Sequence, residues 1–132
     1  MVTDIDKEAL YDKLLLELRR GMLTLAVLSQ LKKEQYGYSL KQSLDELGME
    51  INEGTLYPLL RRLESQGLLE SDWRVVDDTR PRRYYKMSRE GEIIFANLTQ
   101  EWQELVMVLS QLLSDDHLLD ETDGGNKWKQ MN

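Results

Sequence analysis

The chain has 132 residues, which suits a single domain, and it is 41% hydrophobic and 31% charged. It has no cysteine and one histidine, His117, which excludes disulfides and thiolate metal sites and argues against a histidine-based catalytic triad. No apolar run reaches the roughly 20 residues that cross a bilayer, and the acidic N-terminus does not resemble a signal or transit peptide. We therefore expect a cytoplasmic protein without a membrane partner, metal or cofactor.

The net charge of −7 disfavours binding to nucleic acid, but the charge is unevenly distributed. Residues 53–91 hold eight Lys and Arg against seven Asp and Glu, whereas the rest of the chain holds nine against seventeen. Within 80–89 there are five cations and no anion. An acidic protein with one locally basic edge can still approach a phosphate backbone through that edge.

The first third of the chain predicts two helices, over 6–19 and 20–33, with a break or kink at Gly21. The first is amphipathic, and the second is apolar on most faces and is predicted to be buried. A third helix follows Gly37 and ends near Gly48, which suits a C-terminal cap. Its apolar positions are Leu40, Leu44 and Leu47.

A helix from about 53 to 66 is predicted because its leucines cluster on one face at 100° per residue. Pro58 lacks an N–H and is tolerated only near a helix start, so the cap is Asn52 or Thr55. Gly67 ends the helix.

Two groups of side chains on this helix are candidates for contact with DNA. Arg61 and Arg62 carry guanidinium groups that can pair with guanine or phosphate, and the alternative is an ordinary solvated helix face. Base reading falls more naturally to the N-terminal end, at Asn52, Thr55 and Tyr57. Tyr57 could instead cover the edge of the core, and both interpretations stay open.

Residues 68–76 and 82–87 have the pattern of strands, and the segment 77–81 between them is typical of a turn. Strand alternation puts Tyr84 and Tyr85 on opposite faces, so one of them is structural, and the sequence does not decide which. The cations at or after the turn form a charged loop that could lie against DNA. They are Arg80, Arg82, Arg83 and Lys86.

A long helix is predicted over about 89–113, with Ser88 as its cap. Its apolar residues follow a heptad register, which predicts a dimerisation helix. The register is formed by Phe95, Leu98, Trp102, Leu105, Leu109 and Leu112. The polar residues 114–132 are expected to form a flexible tail.

The order of these elements is that of a winged helix-turn-helix, and the motifs resemble those of the PadR-type transcriptional regulators over residues 18–113. The matching motifs are Tyr36-Gly37-Tyr38, Glu53 to Pro58, Arg62-Leu63-Glu64 with Gly67-Leu68-Leu69, and Arg82 to Lys86 leading into Ser88 and Gly91. The expected fold is mostly α with a small two-stranded β wing, a winged helix-turn-helix followed by a long C-terminal dimerisation helix. Two departures are Tyr36, where histidine is frequent in the family, and the extended amphipathic N-terminus.

The resemblance implies a dimeric, mostly repressing transcription factor that binds a palindromic operator and is released by a small molecule. In some family members a tryptophan pair on the C-terminal helices lines an aromatic pocket at the dimer interface, and Trp102 is placed similarly. From the residues alone, dimer core is the favoured interpretation of Trp102, and the resemblance makes the two interpretations equal. The full candidate set for the effector pocket or dimer interface is Leu14, Leu18, Phe95, Leu98, Trp102, Leu105, Val106, Leu109 and Leu112.

The expected organisation is an interface-packing N-terminal helix over 1–19, a DNA-binding domain over 20–88, a dimerisation helix over 89–113 and the tail. Expected partners are double-stranded DNA, a second copy of the chain and a small-molecule effector. A winged-helix protein-interaction module without an operator is the alternative, and the residues give no support for an enzyme. The full set of candidate DNA contacts is Tyr38, Lys41, Asn52, Thr55, Tyr57, Arg61, Arg62, Arg80, Arg82, Arg83 and Lys86.

Overall fold

The computed structural model describes residues 3–78 and 80–114. In chain order its elements are α1 (Asp4–Ser29), β1 (Gln35–Tyr36), α2 (Gly37–Glu46), α3 (Glu53–Ser65), β2 (Leu69–Arg74), β3 (Arg82–Met87) and α4 (Arg89–Leu113). The expected mostly helical fold with a small wing is confirmed. The polar tail and His117 lie outside the described residues.

Helix α1 differs from its prediction because it runs unbroken through Gly21, so the predicted break is wrong. A single helix glycine costs only about 1 kcal/mol, which the surrounding leucine-rich helix formers outweigh. The helix also ends at Ser29 rather than at 33, and the amides of Gln30 and Leu31 donate to the carbonyls of Val27 and Leu28 in two tight turns.

The sheet is antiparallel in the order β1–β3–β2, so β3 is its central strand. Strands β2 and β3 form the predicted wing, with Leu69 opposite Met87 and Arg74 opposite Arg82. Strand β1 adds a third strand that the sequence pattern did not predict, pairing Gln35 with Tyr85 and Tyr36 with Tyr84. Two residues are too few to show a strand period.

By its internal contacts the chain divides into two compact units, and residues 20–98 form one of them. Its core consists mostly of leucines, which come from the end of α1, from α2 and α3, and from the base of the sheet. On β3, Tyr85 and Met87 are buried and Lys86 is exposed, which identifies Tyr85 as the structural tyrosine.

The second unit is described for residues 3–19 and 99–114. Within it α4 exposes a stripe of large apolar side chains, including Leu105 at 60% and Leu109 at 50%. Leu14 and Leu18 of α1 are also more than half exposed. Among the described residues, no helix combines the length and the apolar character that crossing a bilayer requires.

Candidate nucleic-acid interface

Helix α3 begins as its sequence predicts, with Asn52 as the cap. The Asn52 Oδ1 atom accepts a hydrogen bond from the Thr55 amide at 2.9 Å. Four leucines bury one face of the helix in the core, at positions 56, 59, 60 and 63. The opposite face is therefore presented outward, and Thr55, Arg61 and Arg62 on it are exposed.

The start of α2 lies directly beside the middle of α3. A Cβ atom at Gly37 would overlap Cε1 of Tyr57, so only glycine leaves room for this ring. Tyr57 is half-buried, and burial raises the pKa of its phenol. Tyr57 packs against the core cluster and also borders the outer surface, so its position fits a role in the core, and contact with DNA stays a prediction.

An open concavity of about 630 Å³ lies between the start of α2, the outer face of α3 and the wing. Four arginines and five aromatic side chains surround it, together with Gly37 and Pro81. The arginines are Arg61, Arg80, Arg82 and Arg83, and the aromatic residues are Tyr36, Tyr38, Tyr57, Trp73 and Tyr85. Helix and wing cations that are distant in sequence thus meet at one surface, which we call the arginine concavity.

Three of these arginines carry charge that no carboxylate of the described residues neutralises. Within 3–78 and 80–114, none of the salt bridges involves Arg61, Arg80 or Arg82. Arg82 lies over the Tyr36 ring, 4.4 Å from guanidinium carbon to ring centroid. Such groups can pair with phosphate oxygens without breaking an internal ion pair.

Arg83 is held differently. Its Nη2 donates to Glu64 Oε1 at 2.6 Å and its Nε donates to Ser71 Oγ at 2.9 Å. Its guanidinium also lies 5.8 Å from the Trp73 ring centroid and 5.5 Å from that of Tyr85. Arg83, which was predicted to contact DNA, therefore already has hydrogen-bond partners within the chain.

Lys86 lies apart from the other wing cations. It borders a separate depression of about 270 Å³ whose lining includes Glu34, Glu70 and Asp72. In the same depression Arg74 pairs with Glu34 through both terminal nitrogens, and this contact lowers the pKa of the Glu34 carboxyl. Lys86 thus faces carboxylates rather than the arginine concavity.

Of the remaining candidates Tyr38 lines the concavity and the others do not. Lys41 donates to Asp45 at 2.6 Å, and this hydrogen bond raises the pKa of the lysine. Asn52, Thr55 and Arg62 are exposed on α3 but do not line the concavity. Helix α3 therefore presents a wider polar surface than the concavity alone.

Sequence reasoning missed Tyr36 and Trp73 as members of this surface. Trp73 is 64% exposed and pairs with Arg83 across the wing, so the hairpin register could have identified it. Tyr36 is placed by β1, for which the sequence carries no strand signal.

Comparison with known proteins places the chain within one family. The model of the PadR-like transcriptional regulator family matches residues 24–97. The chain is 38% identical over 98 residues to the transcriptional regulator Rv3488 of Mycobacterium tuberculosis. The aligned segment covers 74% of this chain and 88% of that protein.

Solved structures agree with this assignment. A PadR family transcriptional regulator from Eggerthella lenta has a TM-score of 0.77 and 41% identity, covering 85% of this chain and 99% of that chain. A Streptococcus transcriptional regulator has a TM-score of 0.65 and 35% identity, covering 72% of this chain and 95% of that chain. The family consists of DNA-binding regulators rather than enzymes. The chain thus belongs to the PadR-like family of transcriptional regulators.

Proposed function

We propose that the chain is a homodimeric repressor that binds a palindromic operator through α3 and the wing and is released by a small molecule. The observation that carries the proposal is the arginine concavity, in which Arg61 of α3 meets Arg80 and Arg82 of the wing, all three without a carboxylate partner among the described residues. In winged helix-turn-helix proteins the second helix of the motif enters the major groove. The concavity would then receive the adjoining phosphate backbone.

The dimer is supported by the apolar surface of α4. Large exposed apolar patches on a protein mark sites that a partner covers. The exposed apolar residues of this helix are Ile93, Ile94, Leu98, Trp102, Leu105, Val106, Met107, Val108, Leu109, Leu112 and Leu113. We propose 89–113 as the dimerisation helix, 1–19 as its packing partner and 20–88 as the DNA-binding domain. Of the predicted interface residues Phe95 is the exception, because it is half-buried against the core cluster.

Two-fold symmetry sets the form of the operator. Each copy would present one α3 helix, so the half-sites would be palindromic and about 34 Å apart, one turn of DNA. Selection of bound sequences from a random DNA pool, followed by gel shifts, tests this directly. Enriched palindromes bound with steep salt dependence would support the proposal. Failure to retain any duplex at low salt would favour a protein-interaction module, the alternative that the acidic net charge of −7 supports.

A matched pair of α4 variants tests the dimer. Leu105→Glu places a charge within the exposed apolar stripe, whereas Gln100→Glu adds the same charge on the other side of the helix, since residues advance by about 100° each. We expect the Leu105 variant to run as a monomer in sedimentation and the Gln100 variant as a dimer. Equal dimerisation of both variants would place the contact elsewhere.

The proposed effector site involves Trp102, which is 39% exposed on α4. A planar aromatic effector that stacks on this ring would quench its fluorescence and release the operator. The test uses Trp128→Phe with Trp102→Phe/Trp128→Phe as its control, so that the emission of Trp102 is obtained by difference and Trp73, which lines the arginine concavity, is kept. Quenching by planar aromatic acids at the concentrations that release DNA would support the site. Unchanged emission during ligand-induced release would place the effector elsewhere, and the absence of any release would leave Trp102 as dimer core.

A further inference from the structure

Helix α3 and both strands of the wing are connected by one polar cluster, which we call the Glu64 clamp and define as Glu64, Ser71 and Arg83. Glu64 lies in the last turn of α3, Ser71 on β2 and Arg83 on β3. We propose that Arg83 is a positioning residue that fixes the wing relative to α3, and that it is not a phosphate contact. This inference rests on the proposed function, because it assumes that α3 and the wing bind the same DNA.

Three hydrogen bonds join the residues of the clamp to one another. Arg83 Nη2 donates to Glu64 Oε1 at 2.6 Å, and Arg83 Nε donates to Ser71 Oγ at 2.9 Å. Ser71 Oγ in turn donates to Glu64 Oε2 at 2.5 Å, so both carboxylate oxygens are used. A guanidinium fork suits this geometry, because its donors have fixed directions.

The surroundings of the clamp favour retention of these bonds. The side chain of Arg83 is 34% exposed and that of Glu64 26%, so water competes less than at an open surface. The rings of Trp73 and Tyr85 also lie within 6 Å of the guanidinium. Contact between Arg83 and a phosphate would have to compete with a carboxylate that is already in place.

Glu64 provides a test because the two interpretations predict opposite effects of removing it. If Arg83 contacts phosphate, Glu64→Ala frees a cation, so operator binding should tighten and its salt dependence should become steeper. If Arg83 positions the wing, the same change should weaken binding, because Arg80 and Arg82 are no longer held in place beside the phosphates. Fewer phosphates would then be neutralised, so the salt dependence should also become shallower, although no cation has been removed.

The measurement is the operator dissociation constant of the full chain over a range of salt concentrations. For Glu64→Ala we expect binding about tenfold weaker and a log–log salt slope smaller by about one for each phosphate that the wing no longer neutralises. The matched control is Glu70→Ala, which removes the same charge from β2 outside the clamp. The control should bind as tightly as the wild type or slightly more tightly. A simple loss of folded protein would reduce the active fraction and leave the slope unchanged.

A second variant keeps the inference testable if Glu64→Ala does not fold. Arg83→Lys retains the charge but loses the fork, so a positioning role predicts weaker binding and a shallower slope. A phosphate contact predicts almost unchanged affinity and slope, and that result, or tighter binding by Glu64→Ala, would overturn the inference. Failure of the wild type to bind duplex DNA would instead refute the proposed function, so the two failures are distinguishable.

Discussion

The ring of Tyr57 on α3 occupies the space that a side chain at Gly37 would need at the start of α2. At this point the two helices of the helix-turn-helix contact each other through a residue that has no Cβ. The contact also lies on the wall of the arginine concavity, so a change in the packing of these helices would alter the proposed DNA surface.

Gly37→Ala should weaken operator binding about three- to tenfold, because the new methyl group displaces the Tyr57 ring at the mouth of the concavity. The effect should not add to that of Tyr57→Ala, since the double variant contains no ring to displace. Gel shifts of both single variants and the double variant provide the measurement. Fully additive losses would show that Gly37 acts through something other than Tyr57.

Arg61→Ala should weaken operator binding about tenfold and reduce the salt slope by about one. Arg62→Ala is the matched comparison, because both arginines are exposed on α3 but only Arg61 lines the concavity. We expect a smaller loss from the Arg62 change, measured by gel shift at several salt concentrations. A larger loss of affinity in Arg62→Ala would mean that DNA contacts a different part of the surface of α3.

The wing cations should also differ from one another. Arg82→Ala should weaken binding and reduce the salt slope by about one, because Arg82 lines the concavity and pairs with no carboxylate in the described part of the chain. Lys86→Ala should change the affinity less than about twofold at moderate salt, because Lys86 lies among carboxylates in the other depression. Comparable losses in the two variants would mean that DNA also contacts the depression around Lys86.

Two glycine substitutions should change stability in opposite directions. Gly91→Ala should lower the free energy of unfolding by about 1–3 kcal/mol, because its Cβ would overlap the backbone carbonyl of Leu68, which cannot swing away. Gly21→Ala should raise it by about 0.5–1 kcal/mol, because position 21 is inside α1 with nothing within 4 Å of a new Cβ. Denaturant unfolding at one fixed protein concentration measures both. Destabilisation by Gly21→Ala would show that this position is covered in the folded assembly.

Asp45 should contribute to stability in a pH-dependent way. Its hydrogen bond from Lys41 lowers the pKa of the carboxyl, and it also accepts the Ile51 amide at 3.3 Å. A lowered folded-state pKa gives stability that is present above the unfolded pKa, about 3.9, and is lost as the pH falls through the folded value. Between pH 6 and about pH 2, the melting temperature of Asp45→Asn should therefore fall by less than that of the wild type. If the melting temperatures of the two proteins fell in parallel as the pH was lowered, this assignment would be wrong.

Much of the fold could be predicted because local signals agreed with one another. Helix α3 begins after Asn52, one of its two predicted caps, and ends before Gly67, while β3 and α4 occupy the predicted residues, because periodicity, turn residues and caps were consistent with one another. The presence of Gly21 alone did not show whether the helix breaks at this residue or continues through it. That distinction depends on the sum of propensities over the whole helix.

The candidate site was less predictable because charge in a sequence does not reveal its partner. Arg83 and Glu64 are 19 residues apart on different elements, and their pairing depends on how α3 packs against β2. Lys86 and Arg82 look equivalent in the sequence, yet different neighbouring elements surround them. The acidic Glu34, which pairs with Arg74 of the wing, comes from the distant connection between α1 and β1.

Strand β1 ends at Tyr36, and α2 begins at the next residue, with Tyr36 as its cap. One tyrosine therefore joins the ladder of the sheet to the first helix of the helix-turn-helix, with no spacer between them. An insertion or deletion of a single residue here would turn Tyr36 to the opposite face or break its pairing with Tyr84. A chimera that grafts a wing from another regulator onto this scaffold should therefore transfer the 35–36 pair together with the hairpin.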